Sequence, residues 1–525
     1  MRLEPTGELH PAEATTGADR DWPDTRKPAE DHKDDAWDAE ATAAVGPVDP
    51  PKSGDDTPAK PSHKRRNILI GAFALLLVVA LGVAAALPQV SNRLELPWAP
   101  NKPKGDAPEP VAVTLAMRPP AESAPEPTTD GVTKALSGLI TNPLFTKLTG
   151  SVIDAESGTV LWDHGSSQPM TPASTTKLLT VAAALLTLDH GAQISTKVVE
   201  GDQPGTVVLV GGGDPTLNSL PDGKDSLYTG PAHLDDLVAQ VKAATGGKVQ
   251  KVLLDVGLYT GPATGQGWDP TDAPSTFAAP MVPVMLDGGR TNPNDDHSMR
   301  VATPAMSAAK ALAQRLGVQA QPVVGTAPKN AKVLGEVKSA PLPEMVNDLL
   351  QLSDNTLAEA VSRMSARADS VDQSFAGAAK HTIDVLSRNN FDVTGVQLND
   401  SSGLSKLNKV PAKLLNQILA IAAGPDGKDP RTAKLRPLLG GLPVAGGSGT
   451  LSERYDDPLS SVGKGYLRAK TGTLADVNTL GGVVLDTDGR VLVFTMMSTG
   501  GGGVPDPVRA ALDDLVAALR GCGCR

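Results

Sequence analysis

Apolar and polar positions change rhythm several times along the chain, and each change marks a different kind of structure. Residues 1–63 carry Asp, Glu, Pro and Ala without an apolar period, a composition that leaves a segment disordered. Lys64-Arg-Arg66 then precedes an uncharged apolar run over residues 68–87, close to the roughly 20 helical residues that cross a bilayer. Its polar flanks offer nothing to bury such a helix, so residues 64–88 are expected to form a transmembrane signal anchor. The basic side of that anchor faces the cytoplasm. The long preceding tail argues against a cleaved signal peptide. Residues 89–130 are rich in proline and read as a semi-rigid spacer.

Folded periodicity begins near Gly131. A helical pattern over 131–140 precedes two extended runs, Leu148-Thr-Gly-Ser-Val-Ile-Asp154 and Gly158-Thr-Val-Leu-Trp162, set about a Glu-Ser-Gly turn. Leu178-Leu-Thr-Val-Ala-Ala-Ala-Leu-Leu186 is apolar on nearly every side and predicts a buried helix, with Pro172 and Ser174 marking its start. From 197 to 332 the texture shifts to short strands (206–210, 249–256), many Gly and Pro residues and few long helices. This stretch is expected to be an inserted domain or pair of domains. Helical periodicity returns over 340–419, as in 349–364. Extended runs over 465–473, 479–486 and 490–497 follow, the last two joined by Thr487-Asp-Gly489, a hairpin signal, and an amphipathic helix covers 507–519. Strands at both ends with helices between predict an α+β fold, one antiparallel sheet flanked by helices. Residues 131–196 and 333–520 would build it around the 197–332 insertion, leaving 521–525 as a tail.

Composition narrows the function. Hydrophobic residues at 40% and charged residues at 20% describe a mostly globular chain. A net charge of −11 and 3% aromatics argue against nucleic acid as a partner, which wants a basic face and stacking platforms. The two cysteines, Cys522 and Cys524, allow no internal disulfide framework and read as part of a frayed terminus. Neither a zinc signature nor a phosphate-binding loop occurs, so no metal or organic cofactor is implied. Asp31-His-Lys-Asp-Asp35 is a solvated charge run. His190, His233, His297 and His381 have no context of a catalytic base, and Gly-Gly-Ser448-Gly is an incomplete nucleophile elbow.

The chemistry points instead to Pro172-Ala-Ser174-Thr-Thr-Lys177. A serine and a lysine three apart share one helix face, a turn from each other, at the positive end of the helix dipole. Burial beside a second cation would keep Lys177 neutral and able to take the proton of Ser174. The same spacing recurs at Ser307-Ala-Ala-Lys310 and Ser461-Val-Gly-Lys464, so partner motifs must decide. Ser353-Asp-Asn355 offers a hydroxyl for proton relay and an amide to orient, or simply a helix cap. Lys470-Thr-Gly472 offers a carboxylate grip on an extended run, its glycine permitting close approach, or simply an edge strand. Lys52-Ser-Gly54 in the tail shows how easily such a tripeptide arises.

In this order the three motifs resemble the signature of penicillin-binding proteins and β-lactamases. The long gap between Lys177 and Ser353 is similar to the low-molecular-mass class C penicillin-binding proteins, the D-alanyl-D-alanine carboxypeptidase/endopeptidase family, whose transpeptidase-like domain is split by a large insertion. Val210-Gly-Gly-Gly-Asp-Pro-Thr-Leu217, Phe277-Ala-Ala-Pro280, Asp400-Ser-Ser-Gly-Leu-Ser405, Leu442-Pro-Val-Ala-Gly446 and Gly449-Thr-Leu451 resemble family motifs, and the likeness runs over 133–519. The resemblance implies a β-lactamase/transpeptidase-like fold with Ser174 as acylated nucleophile and Lys177 as general base. Ser353 and Asn355 would support proton transfer and orient the acyl group. Lys470 and Thr471 would grip the substrate carboxylate beside Gly472 and Thr473, with the amides of Ser174 and Thr473 as oxyanion hole.

Asp272, just ahead of Phe277, matches the family aspartate that meets the amino group of a diaminopimelate side chain; read from its neighbours, it is equally a loop cap in Asp269-Pro-Thr-Asp272. Lys406 departs from the pattern, since several relatives carry arginine there and lysine loses the bidentate fork; an amidated stem-peptide residue would account for the change. No Glu-x-x-Leu-Asn stretch is present to activate a deacylating water. The resemblance therefore implies a membrane-anchored serine peptidase with its catalytic domain outside the cell membrane, acting on peptidoglycan stem peptides and inhibited covalently by β-lactam antibiotics. The rivals are a β-lactamase-like hydrolase and a non-catalytic cell-wall-binding protein on the same fold.

Overall fold

The computed structural model describes Leu87 and residues 124–221, 223–224, 226–500 and 505–521. The acidic tail, the expected anchor (Leu87 apart), most of the spacer, and Cys522 and Cys524 lie outside the described residues. Among the described residues no helix is long and apolar enough to cross a membrane.

Helix α1 (Thr129–Ser137) starts where the Thr128 hydroxyl accepts from Gly131 N at 3.0 Å, an N-cap satisfying one of the free amides of the first turn. Strands β1 (Lys147–Asp154), β2 (Val160–His164) and β3 (Pro169–Met170) and helix α2 (Thr176–Thr187) follow. Every residue of α2 from Thr176 to Leu186 is buried, as its all-round apolar pattern requires.

Residues 195–338 then hold β4 (Ser195–Glu200), β5 (Thr206–Val210), α3 (Leu234–Thr245), β6 (Lys251–Asp255), α4 (Pro304–Leu316), β7 (Val323–Val324) and β8 (Val333–Lys338). Their strands form a separate sheet in the order β7-β6-β5-β4-β8. β5, β6 and β7 run parallel, and parallel neighbours need a crossover long enough for a helix. α3 and α4 supply those crossovers. Each ends at a glycine in the left-handed region, Gly246 and Gly317. Leu237, Val241 and Leu312 of these helices bury against Val207, Leu209 and Leu254. The Gly- and Pro-rich texture of the window concealed both helices from the sequence reading. Val333–Lys338 also differs from expectation: instead of opening the second catalytic block it pairs with β4, Thr196 opposite Val337. A strand this short carries no sequence mark of which sheet will take it.

Beyond the insertion come α5 (Leu342–Gln351), α6 (Asn355–Ala368), α7 (Phe375–Arg388), β9 (Val410–Pro411), α8 (Ala412–Ala423), α9 (Thr432–Gly441), β10 (Leu467–Leu474), β11 (Val477–Leu485), β12 (Val491–Thr499) and α10 (Pro505–Arg520). The helical pattern over 349–364 is really two helices. Ser353, at φ 53°, interrupts it in a region that a helix does not use.

The main sheet has the order β10-β11-β12-β1-β2. It is antiparallel throughout, with Val152 of β1 opposite Phe494 of β12. The two ends of the folded region thus meet in one sheet. On one face Leu136 of α1 and Leu512 and Leu515 of α10 pack with Val152 and Phe494. On the other Leu178 and Leu185 of α2 and Ile418 of α8 pack with Val493 and Met497. This sandwich pins α2 against the sheet, and β10, at the sheet's edge, runs beside the start of that helix.

Candidate active site

α2 is entered through a tight 3-10 turn, Ala173–Thr175, with Ala173 at φ 48°. The turn leaves Ser174 partly exposed, while Lys177, one turn on, is fully buried. Nζ of Lys177 lies 3.0 Å from Ser174 Oγ. It also donates to Asn355 Oδ1 at 2.6 Å and to the Ser402 carbonyl at 2.6 Å. Burial pulls the Lys177 ammonium down to about 8, against the opposing pull of the Asp400, Asp354 and Glu359 carboxylates. At pH 7 about a tenth of such a group is the free amine, far more than at the ordinary lysine value of 10.5.

Ser353-Asp-Asn355 divides its labour. Asp354 is the cap of α6, accepting from Leu357 N at 2.9 Å, so the cap suggested by the sequence is real. The residues on either side face the two lysines: Ser353 Oγ accepts from Lys470 Nζ at 2.8 Å, and Asn355 Oδ1 meets Lys177. Asn355 Nδ2 donates to the carbonyl of Phe277 at 3.1 Å, which fixes the orientation of the amide.

Lys470-Thr-Gly472 lies on β10. Ala469 N donates to Pro443 O, away from β11; by the two-residue period of a strand, the backbone groups of Thr471 and Thr473 also face that outer edge. Lys470 is fully buried and also donates to the Thr471 carbonyl at 2.8 Å. Burial holds its ammonium well below the usual value, with the Lys177 and Arg454 cations adding to the effect. Gly472 is where β10 touches the turn that carries Ser174: a Cβ there would come within 2.8 Å of Pro172 O and 3.0 Å of Ser174 N. Thr471 Oγ1 lies 2.9 Å from Thr450 Oγ1, and Thr473 Oγ1 accepts from Arg509 Nε at 3.3 Å.

Asp272 and Lys406 lie in a second cluster, each against Asp269. Asp272 Oδ2 accepts from Asp269 N at 2.7 Å, the loop-capping bond its neighbours suggested; burial raises its carboxyl. Lys406, more than half exposed, has its Nζ 3.6 Å from Asp269 Oδ2. The other Ser-x-x-Lys matches stay apart from this chemistry: Ser307 and Lys310 lie on α4 of the insertion, and Lys464 pairs with Asp456.

Two groups around Lys177 escaped the sequence reading, the Glu359 carboxylate and the Ser402 carbonyl. Glu359, buried on α6, accepts from Ser401 N at 2.7 Å and Ser402 N at 2.9 Å. It thereby aims the Ser402 carbonyl at Lys177. Asp400 organises the same loop, accepting from Trp268 Nε1 at 2.7 Å, Asn408 Nδ2 at 2.6 Å and Gly403 N at 3.0 Å. The Asp400-Ser-Ser-Gly stretch was visible as a motif, but a peptide carbonyl leaves no residue-type signal. Among the described residues no group of three or more His, Cys, Asp and Glu side chains is placed to hold a metal ion.

With this geometry in hand, comparison with known proteins gives a consistent answer. The described fold resembles the crystal structure of penicillin binding protein 4 from Haemophilus influenzae, at a TM-score of 0.59 and 20% identity, over 75% of this chain and 99% of that one. The sequence is 42% identical to Carboxypeptidase DacB of Mycolicibacterium smegmatis over 89% of this chain and 99% of that protein. It is likewise 42% identical to Carboxypeptidase Rv3627c of Mycobacterium tuberculosis, over 88% and 98%. Residues 132–298 and 291–519 match the D-Ala-D-Ala carboxypeptidase 3 (S13) family, and the chain belongs to that family.

Proposed function

We propose that this serine peptidase removes D-alanine from peptidoglycan stem peptides, or cuts beside it at cross-links, through an acyl-enzyme on Ser174. The observation that carries the reading is the buried Lys177 amine 3.0 Å from Ser174 Oγ, with its proton affinity lowered to about 8. The peptide carbonyl carbon is attacked by Ser174 Oγ as Lys177 takes the hydroxyl proton. Charge on the carbonyl oxygen is met by the Ser174 and Thr473 amides, each such donor being worth about 2.7–4 kcal/mol in comparable sites. The C–N bond breaks as the proton taken up by Lys177 passes to the leaving nitrogen by way of Ser353, which Lys470 contacts, and Lys177 is left neutral again. Water, deprotonated in its turn by Lys177, attacks the ester; the bond from Ser174 Oγ to the acyl carbon breaks, the proton returns from Lys177 to Oγ, and the peptide leaves as its acid.

Lys470 and Thr471 would bind the terminal carboxylate, and a β-lactam, which also presents a carboxylate and an acyl carbonyl, would be held as a stalled ester. That Haemophilus relative has been crystallised with a β-lactam. Asp272 would contact the side chain of the stem peptide. Residues 68–87 would anchor the chain in the cell membrane with 131–520 outside, supported by the apolar run and its basic flank; fractionation of cells expressing the full chain checks this.

Covalent labelling by fluorescent penicillin tests the central step. Wild type should label and Ser174→Ala should not; an unlabelled wild type, or a labelled Ser174→Ala, removes the reading. Steady nitrocefin turnover well beyond one equivalent would point to a β-lactamase instead. Mass spectrometry on pentapeptide and cross-linked muropeptides separates carboxypeptidase from endopeptidase action.

A further inference from the structure

The residue between the two groups that touch the lysines is held from the insertion. Asp354 is buried, and its Oδ2 accepts from Tyr228 OH at 2.8 Å and Arg290 Nη2 at 3.0 Å, with Arg300 Nη2 at 3.6 Å. The Arg290 and Arg300 side chains are 0% and 2% exposed, so these charges interact where water screens them little. Burial would raise the Asp354 carboxyl, but the two guanidinium groups hold it well below the usual carboxylate range. Gly288 marks how tightly the groups converge: a Cβ there would lie 2.2 Å from Tyr228 OH, 2.7 Å from Arg300 Nη1 and 2.9 Å from Arg290 Nη1. Beside Tyr228, Thr229 fastens this segment of the insertion to α5, donating from N and Oγ1 to Asp348 at 2.7 and 2.9 Å.

A helix cap needs only the bond that Leu357 N donates to Asp354 Oδ1. The three further partners do more than cap. Ser353 sits at φ 53°, a conformation that persists when its surroundings over-determine it. Clamping Asp354 fixes both neighbours at once: Ser353 Oγ at Lys470, and Asn355 Oδ1 at Lys177.

We propose that Arg290, Arg300 and Tyr228 are positioning residues that act through Asp354 to hold Ser353 and Asn355 in register for acyl transfer, which makes the insertion part of the catalytic apparatus. The proposal rests on the serine-peptidase reading above.

The test uses the full chain with Arg290→Lys, Tyr228→Phe and, for comparison, Arg315→Ala. Arg315 pairs with Asp235 at 3.1 Å, elsewhere in the insertion. Three readouts are taken: the rate constant for labelling by fluorescent penicillin, kcat and KM for D-alanine release, and melting temperature. Arg290→Lys should slow labelling by about 10- to 100-fold, the scale for a reacting group displaced by about 1 Å, with kcat falling and KM held. Tyr228→Phe should act in the same direction and less, and Arg315→Ala should lower the melting temperature while labelling at the wild-type rate. Should Arg290→Lys not fold, Tyr228→Phe decides by itself, since it removes one hydroxyl. Wild-type labelling rates in Arg290→Lys and Tyr228→Phe overturn the proposal, as do losses that merely track melting temperature in all three variants. A wild-type protein that fails to label overturns the peptidase reading as well, and is told apart from these by that control alone.

Discussion

Gly472 offers a sharp test of the idea that β10 and the nucleophile turn form a single catalytic surface. In Gly472→Ala the new methyl would sit 2.2 Å from Thr479 Oγ1, 2.8 Å from Pro172 O and 3.0 Å from Ser174 N. Ordinary contacts begin near 3.4 Å, so the first of these is more than 1 Å too close. Thr479 cannot swing aside freely: it is buried on β11, and its hydroxyl donates to Pro172 O at 2.8 Å. The strain must therefore separate β10 from residues 172–174, the junction where the Thr473 and Ser174 amides are to converge. Overpacking of this kind costs about 1–3 kcal/mol of stability. A reacting group moved by about 1 Å loses about 100-fold in rate. The variant should melt at a lower temperature and label with fluorescent penicillin about 100-fold more slowly. Gly481→Ala, on the neighbouring strand, meets nothing nearer than 3.3 Å and should label within a few-fold of wild type. Labelling of Gly472→Ala at the wild-type rate, with the protein folded, would refute the proposed convergence of the two amides.

The remaining expectations concern charge. In the proposed reaction the neutral form of Lys177 is the base, so the acylation rate should climb as pH rises through about 8, and a profile flat from pH 6 to 9 would contradict that role. The unfolded chain binds more protons between about 8 and the ordinary lysine value of 10.5, so the contribution of Lys177 to stability grows with pH across that window; melting curves against Lys177→Met measure it. Glu359→Gln keeps an oxygen for the Ser401 and Ser402 amides but removes a charge that raises Lys177, so the acid limb of the acylation profile should move to lower pH; a shift upward counts against the assignment. Lys406 stands 3.6 Å from Asp269 and lacks the planar fork of arginine, so amidated stem peptides should turn over at least as well as free acids. A clear preference for the free acid would sink that reading.

Patterns with a short period or a local turn were legible in the sequence: the strand groups at the two ends, the buried helix at 178–186, and the hairpin at Thr487-Asp-Gly489. The three motifs could be placed because each is a run of neighbouring side chains with its own spacing. What stayed hidden depends on chain folding back from a distance. Nothing near Val333 indicates that β4 will recruit it. Nothing near Ser353 shows that a left-handed residue divides the helical pattern, because serine seldom adopts that conformation unless tertiary contacts hold it. The Ser402 carbonyl is chemically identical to every other peptide carbonyl. Its role arises because Glu359, on another element, holds the two amides of its loop.

The two lysines show the same division between residue type and surroundings. Both are fully buried, and the motifs alone give no reason for them to differ. Lys177 has three carboxylates raising its proton affinity against burial, those of Asp400, Asp354 and Glu359. For Lys470 the neighbouring charges are the cations Lys177 and Arg454, which act in the same direction as burial. Its hydrogen-bond acceptors are a hydroxyl and a carbonyl, neither of which carries a charge. A substrate carboxylate brought to Lys470 would supply the missing counter-charge and favour its protonated form. That restored positive charge would in turn disfavour protonation of Lys177, since like charges in one site depress each other. The bound carboxylate itself pulls Lys177 the other way, as Asp400, Asp354 and Glu359 already do, so in the proposed reaction the carboxylate grip and the base beside Ser174 are coupled electrostatically through the two lysines.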